Sequence, residues 1–141
     1  MKNTLIITGR TLLALYFIYP GIMKFVAWDR GIALMELHDM PMVTILLPIA
    51  GLIQILAGTC LVINKHVTVA ALALAALTLI ININLHDFWN TYQGVDSGRE
   101  LQNFVKNLGI FAGLLVLAGL NIPPHQSLDG KTEDETKAID I

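Results

Sequence analysis

The sequence predicts an all-α integral membrane protein: a bundle of four transmembrane helices followed by a disordered polar C-terminal tail. Three observations carry this reading. The 141 residues are 55% hydrophobic and only 14% charged, outside the usual balance of soluble domains. A chain of one domain's length could not hide so much apolar surface from water, so lipid must cover it. The apolar residues, whose excess gives a mean hydropathy of +0.64, also fall into four blocks, each near the ~20 residues that cross a bilayer core. Backbone polar groups left unpaired in lipid are too costly to tolerate, so each block must be helical.

Taken in order, the spans cover residues 4–26, 42–63, 67–85 and 104–120, and residues 1–120 form the membrane domain. Span one begins like a signal peptide, with Lys2 ahead of an apolar run. Arg10 interrupts that run and no small-residue cleavage site follows, so it is read as a retained helix. Pro20 and Pro48 lie inside spans and predict bends. The Asn64-Lys65-His66 turn joins spans two and three, and residues 27–41 and 86–103 are read as loops at the opposite face. Pro41 suits the first turn of span two, with His38-Asp39 just ahead as caps. The alanines from Ala70 to Ala76 let a neighbouring helix approach closely. Beyond Leu120, Asn121-Ile122-Pro123-Pro124 stops the helix, and the acidic tail over residues 121–141 is expected to be disordered.

Four spans place both termini on one side. Five basic residues (Lys2, Arg10, Lys65, Lys131, Lys137) on the terminal side against four (Lys24, Arg30, Arg99, Lys106) on the other lean the termini towards the cytoplasm. Trp28, Trp89 and Tyr92 mark the opposite, outer interface as an aromatic belt. The net charge of −2 offers no basic patch and argues against nucleic acid. A single cysteine, Cys60, forms no disulfide within the chain and no zinc site. His38, His66, His86 and His125 do not offer two haem ligands at one depth on facing helices, because His66 and His86 are about 30 Å apart on one span and the other two lie outside the spans. No nucleotide fingerprint, metalloprotease helix or nucleophile elbow is present, and no metal site is expected.

Polar residues inside spans are expensive and each needs a reason. Arg10 and Lys24 share one face of span one with Ala14, Phe17 and Gly21, either snorkelling to headgroups or turned to the bundle interior. Gln54 lies between Gly51 and Gly58 on one face of span two, placed for an interhelical hydrogen bond at a close crossing or for a ligand contact. Gly109 and Gly113 are expected to form a second close approach, in span four. Lys106-Asn107 near the start of span four would sit where the helix dipole disfavours a cation, so an acidic partner is expected, with Asp87 the candidate. Lys24, His86, Asp87 and Lys106 then gather at one interface from three spans. They form either a polar pocket capped by Trp89 and Trp28 or a salt-bridge network pinning helix ends.

Several of these stretches look familiar together. Gly9-Arg10, Pro20-Gly21-x-x-Lys24, Gly51-x-x-Gln54-x-x-x-Gly58, His86-Asp87-Phe88-Trp89 and Phe104-x-Lys106-Asn107-Leu108 resemble, in order and spacing, the DoxX family of DoxX/DoxD-like membrane proteins. The resemblance spans residues 4–120. It implies a four-helix protein of the bacterial inner (cytoplasmic) membrane, in a family that includes a subunit of an archaeal thiosulfate:quinone oxidoreductase and members linked to oxidative stress. The family's polar positions fall on Arg10, Lys24, His86, Asp87, Lys106 and Asn107. Members often carry a glutamate in span two where this chain has Gln54, which leaves hydrogen bonding there but not proton carriage.

Two functional readings follow. In the first, a redox-associated accessory subunit binds a quinone or similar amphipathic molecule at the outer interface. His86 handles a proton, Asp87 fixes its tautomer, and Lys24 and Lys106 meet developing negative charge. The chain has no cofactor signature of its own, so electrons must come from a partner. In the second, the chain is a non-catalytic scaffold or assembly subunit, and the charged cluster is a clamp. Besides the bilayer, a membrane or peripheral protein partner or further copies of the chain are expected.

Overall fold

A computed structural model describes residues 1–122. The expectation of a disordered tail concerns residues that, from 123 onward, lie outside that range. Five helices follow one another, with no strand among the described residues: α1 (Lys2–Val26), α2 (Trp28–Leu37), α3 (Val43–Val62), α4 (Val67–Leu85) and α5 (Ser97–Leu120). All but α2 are long and apolar enough to cross a membrane. Helices α1 and α3 continue without interruption through Pro20 and Pro48.

Helix α1 packs on α3 and α4 on α5, while α3 against α4 joins the two pairs and α1 scarcely meets α5. Leu61, Leu74 and Leu114 are fully buried at the centre, with Ala14, Phe17 and the α4 alanines Ala70, Ala71 and Ala75 around them. The α1–α3 crossing is close because glycines make it so. A Cβ on Gly21 would lie 3.1 Å from the Gly51 carbonyl oxygen, and one on Gly58 would lie 3.2 Å from that of Ala14. In contrast, a Cβ on Gly109 or Gly113 would meet nothing within 4 Å. The expected close approach in α5 is therefore absent: those glycines face away from every described neighbour.

The stretch expected as the first loop is largely helical. Trp28, Gly31, Met35 and His38 recur at i, i+3, i+7 and i+10, one face of a helix, with Asp29 in its first turn where the dipole favours an acid. Met35 and His38 are buried, and a Cβ on Gly31 would lie 2.9 Å from Leu47 of α3. Ten residues cannot span a bilayer, so α2 lies against the bundle end. Helix α3 starts at Val43 behind Met42 with no side-chain cap, which leaves Pro41 in the preceding turn and removes the expected capping by His38-Asp39. Helix α5 starts seven residues earlier than expected. Asp96 caps it by accepting from the Gly98 backbone N–H at 2.9 Å, and Glu100 sits in its first turn. Lys106 is accordingly well inside α5, beyond reach of the terminal dipole.

At the other end of the bundle, Arg10 of α1 donates through Nη1 to Asn64 Oδ1 in the α3–α4 turn. Asn64 and His66 both hold left-handed backbone there, with φ of 59° and 50°. Arg10 thus fastens α1 to the tight connection on the terminal side of the bundle.

Candidate functional site

A cavity of about 640 Å³ opens among α1, α2, α3 and α4 at the bundle end that carries α2. Its wall is mostly leucine, isoleucine, methionine and alanine, interrupted by Tyr19, Lys24, Arg30 and His86. Its size and lining match those of small-molecule sites, in which a few convergent polar groups fix an otherwise apolar ligand.

Lys24 is half-buried near the end of α1, where the close crossing permits its Nζ to donate to Gln54 Oε1 of α3 at 2.9 Å. One of the ammonium's three protons is used there, and no carboxylate lies within ion-pair distance among the described residues. Arg30 of α2 is likewise without an acidic partner there. His86 caps the C-terminus of α4, and its Nδ1–H donates to Glu100 Oε2 at 2.6 Å. An ionised carboxylate only accepts, so Nδ1 carries the proton and Nε2 is the nitrogen left for other chemistry. The tautomer is thus fixed by Glu100, not by the expected Asp87. These two residues are fourteen apart in sequence and meet because the α4–α5 loop folds back over the start of α5.

Asp87 belongs to a separate, buried arrangement. Its Oδ2 accepts from Tyr92 Oη and from Asn90 Nδ2, each at 2.6 Å, and its Oδ1 faces His38 Nε2 at 3.8 Å. Burial pushes the carboxyl up, but the hydrogen bonds from Tyr92 and Asn90 and the facing imidazole outweigh it and hold Asp87 below its ordinary value. Donation to that carboxylate, with desolvation, raises Tyr92 above the usual phenol value.

The cluster expected from sequence is therefore divided. Lys24 and His86 meet at one cavity, Gln54 supports Lys24, and Asp87 lies outside the cavity wall. Lys106 is exposed and donates to Asn103 Oδ1 at 3.0 Å, so the expected Lys106–Asp87 pair does not form. Asn107 is buried on the inner face of α5. Nor do Trp28 and Trp89 cap the cavity; Trp89 is exposed and meets Phe88 and Phe104 edge to face, at centroid distances of 5.1 and 5.7 Å.

Sequence reasoning gave no site role to Arg30, His38 or Glu100, and placed Asn82 on one face of its span with His86 and Trp89 without a partner. The spacing of His38 from Gly31 and Met35 could have revealed its inward face, and Asp96-Ser97-Gly98-Arg99-Glu100 reads as a helix start with an acid in the first turn. Asn82 is buried with its Nδ2 donating to the Phe104 carbonyl oxygen at 3.1 Å, a link between α4 and α5.

Compared with protein-family models, the chain matches DoxX over residues 5–87. The match takes in α1 to α4 and ends at Asp87, ahead of Glu100 and all of α5. No curated protein and no solved structure was found to match.

Proposed function

This chain belongs to the DoxX family, and from that premise we propose that it is a redox-associated accessory subunit of the bacterial inner membrane that binds a quinone or similar amphipathic molecule in the cavity beneath α2. The observation that carries the reading is the joint presence of Lys24, Arg30 and His86 on one otherwise apolar wall. A quinone fits that donor set, having polar oxygens on an apolar body. When bound it supplies two-electron, two-proton redox chemistry.

The chain's own residues perform the proton and charge work. His86 Nε2 is free to pass a proton because Glu100 holds Nδ1. Lys24, steadied by Gln54, and Arg30 present positive charge that favours electron-rich oxygen. Electrons come from a partner protein with its own redox centre. With the termini cytoplasmic, as the lysine and arginine distribution leans, the cavity faces the outer side.

The test is purification in mild detergent, with mass spectrometry of extracted quinones and of co-purifying proteins. About one quinone per chain, lost from a His86→Ala/Arg30→Ala variant that still folds, supports the proposal. A stoichiometric partner with no quinone makes the chain a scaffold and its charged groups a clamp.

A further inference from the structure

Helix α2 is the one wall of the cavity that does not span the membrane, and short connections flank it. Only Ala27 separates it from α1. On its other side the connection to α3 includes Asp39 and Met42, both in left-handed backbone with φ of 51° and 52°. That conformation is costly for residues other than glycine and persists only where the surroundings enforce it. Arg30, Gly31, Leu34 and Met35 line the cavity, so a shift of α2 would open it.

At the far end of α2, beyond the packing of Gly31 and Met35, His38 is the residue that faces the α4–α5 loop. Its Nδ1 donates to the Leu34 carbonyl oxygen at 2.9 Å, an acceptor only, which fixes the proton on Nδ1. Nε2 then faces Asp87 Oδ1 at 3.8 Å, with the two side chains 1% and 6% exposed. Neither atom has a hydrogen-bond partner among the described residues. Asp87 cannot turn away, because Tyr92 and Asn90 hold its other oxygen. The Tyr92 ring lies 4.5 Å from the imidazole, centroid to centroid. The groups around His38 are thus Asp87, Tyr92 and Asn90 from the α4–α5 loop, and the adjacent Asp39, whose charge also bears on Tyr92. With neutral His38, a lone pair opposes a buried carboxylate and both are unsatisfied, a costly state. With a second proton, Nε2 becomes a donor to Oδ1 and the contact becomes a charge-assisted hydrogen bond.

We propose that His38 and Asp87 form a proton-operated latch on α2: protonation of His38 locks the helix over the cavity, and deprotonation releases it and opens the cavity to the membrane. The purpose of the latch rests on the cavity being a ligand site, but its operation needs no ligand.

The experiment is hydrogen–deuterium exchange of the whole chain in lipid nanodiscs at about pH 5 and pH 8, which bracket the interval where histidine changes charge, corrected for intrinsic exchange. Amides of α2 should be about tenfold or more better protected at the acid end, the range expected of a hydrogen bond to a charged group. His38→Gln and Asp87→Asn should each flatten that dependence, whereas His66 and the Glu100-bound His86 remain in both variants. Equal protection in the wild type, or a pH dependence surviving His38→Gln, overturns the latch. Should neither variant fold, spin labels at the exposed positions Ala33 and Ile83, in a Cys60→Ser background, decide it. Separation must lengthen as pH rises, and an unchanged distance overturns the proposal. A working latch on a chain that retains no quinone would sink the ligand reading alone.

Discussion

His86 donates from Nδ1 to Glu100 Oε2 across 2.6 Å, tying the C-terminal cap of α4 to the first turn of α5. The bond does two jobs, joining the helix ends and fixing the imidazole tautomer. Glu100→Ala should therefore cost about 1–3 kcal/mol, the usual penalty for stranding a partly buried partner of a charged group. Glu100→Gln keeps an acceptor for Nδ1–H and should cost less. Unfolding in detergent measures the first effect. Nitrogen NMR of His86 checks the second: a mixed tautomer in Glu100→Ala but not in Glu100→Gln is the expected pattern.

Lys24 and Gln54 make a more demanding case, because the ammonium is half-buried inside a spanning helix with a single neutral acceptor. Gln54→Leu leaves that cation with no partner among the described residues and should destabilise the α1–α3 pair by roughly 1–3 kcal/mol. Gln54→Glu should be tolerated or stabilising, since it supplies the carboxylate that Lys24 lacks among the described residues. Thermal unfolding of both variants in the same detergent settles the order. A Gln54→Glu protein less stable than Gln54→Leu would show that Lys24 is already compensated.

The four spans were legible because lipid leaves the backbone few options, and a block of twenty apolar residues has one structural answer. Helix α2 was not legible at that level. With only Gly31, Met35 and His38 turned inward after Trp28, its periodicity is too short to stand out against a loop of mixed polarity. Lys106 was misplaced for a different reason. Apolarity marks where a helix enters lipid, not where it begins, and α5 starts seven residues ahead of its apolar part, at the Asp96 cap. The dipole argument then applied to the wrong residue. Of the site, Lys24 and His86 were found because an ionisable group near a span asks for an explanation by itself. Glu100 and Arg30 were missed because their places depend on how the α4–α5 loop folds back and on α2 existing at all.

The Asp87–Tyr92 contact should be stable over a wide pH interval, bounded by two opposite titrations. Asp87 is held below its ordinary value in the fold, so its contribution is fully present above the unfolded carboxylate value of about 4 and is lost as pH falls through the lower folded value. Tyr92 is raised, so its contribution is present below the unfolded phenol value of about 10 and is lost as pH climbs through the higher folded value. Exchange protection of the α4–α5 loop should therefore fall in strong acid and in strong base for this pair. Tyr92→Phe removes the donor and should move the acid limb upward in pH. An unmoved acid limb would mean that Asn90 alone holds the carboxylate.

Glycines in this chain do two different things, and substitution should separate them by sign. On the α1–α3 crossing, a methyl at Gly21 would press on the Gly51 carbonyl oxygen at 3.1 Å and on Gln54 Cβ at 3.0 Å, neither of which can swing aside. Gly21→Ala should force the helices apart and cost about 1–3 kcal/mol, loosening the Lys24–Gln54 bond as well. At Gly113 the same methyl meets nothing within 4 Å among the described residues. Gly113→Ala should then be neutral or stabilising by up to about 1 kcal/mol, because a glycine within a helix gives up more conformational freedom than alanine. Both are read from unfolding midpoints in one detergent. If Gly113→Ala also destabilises the protein, the open face of α5 is covered in the membrane by another chain, and the penalty should then grow with protein concentration.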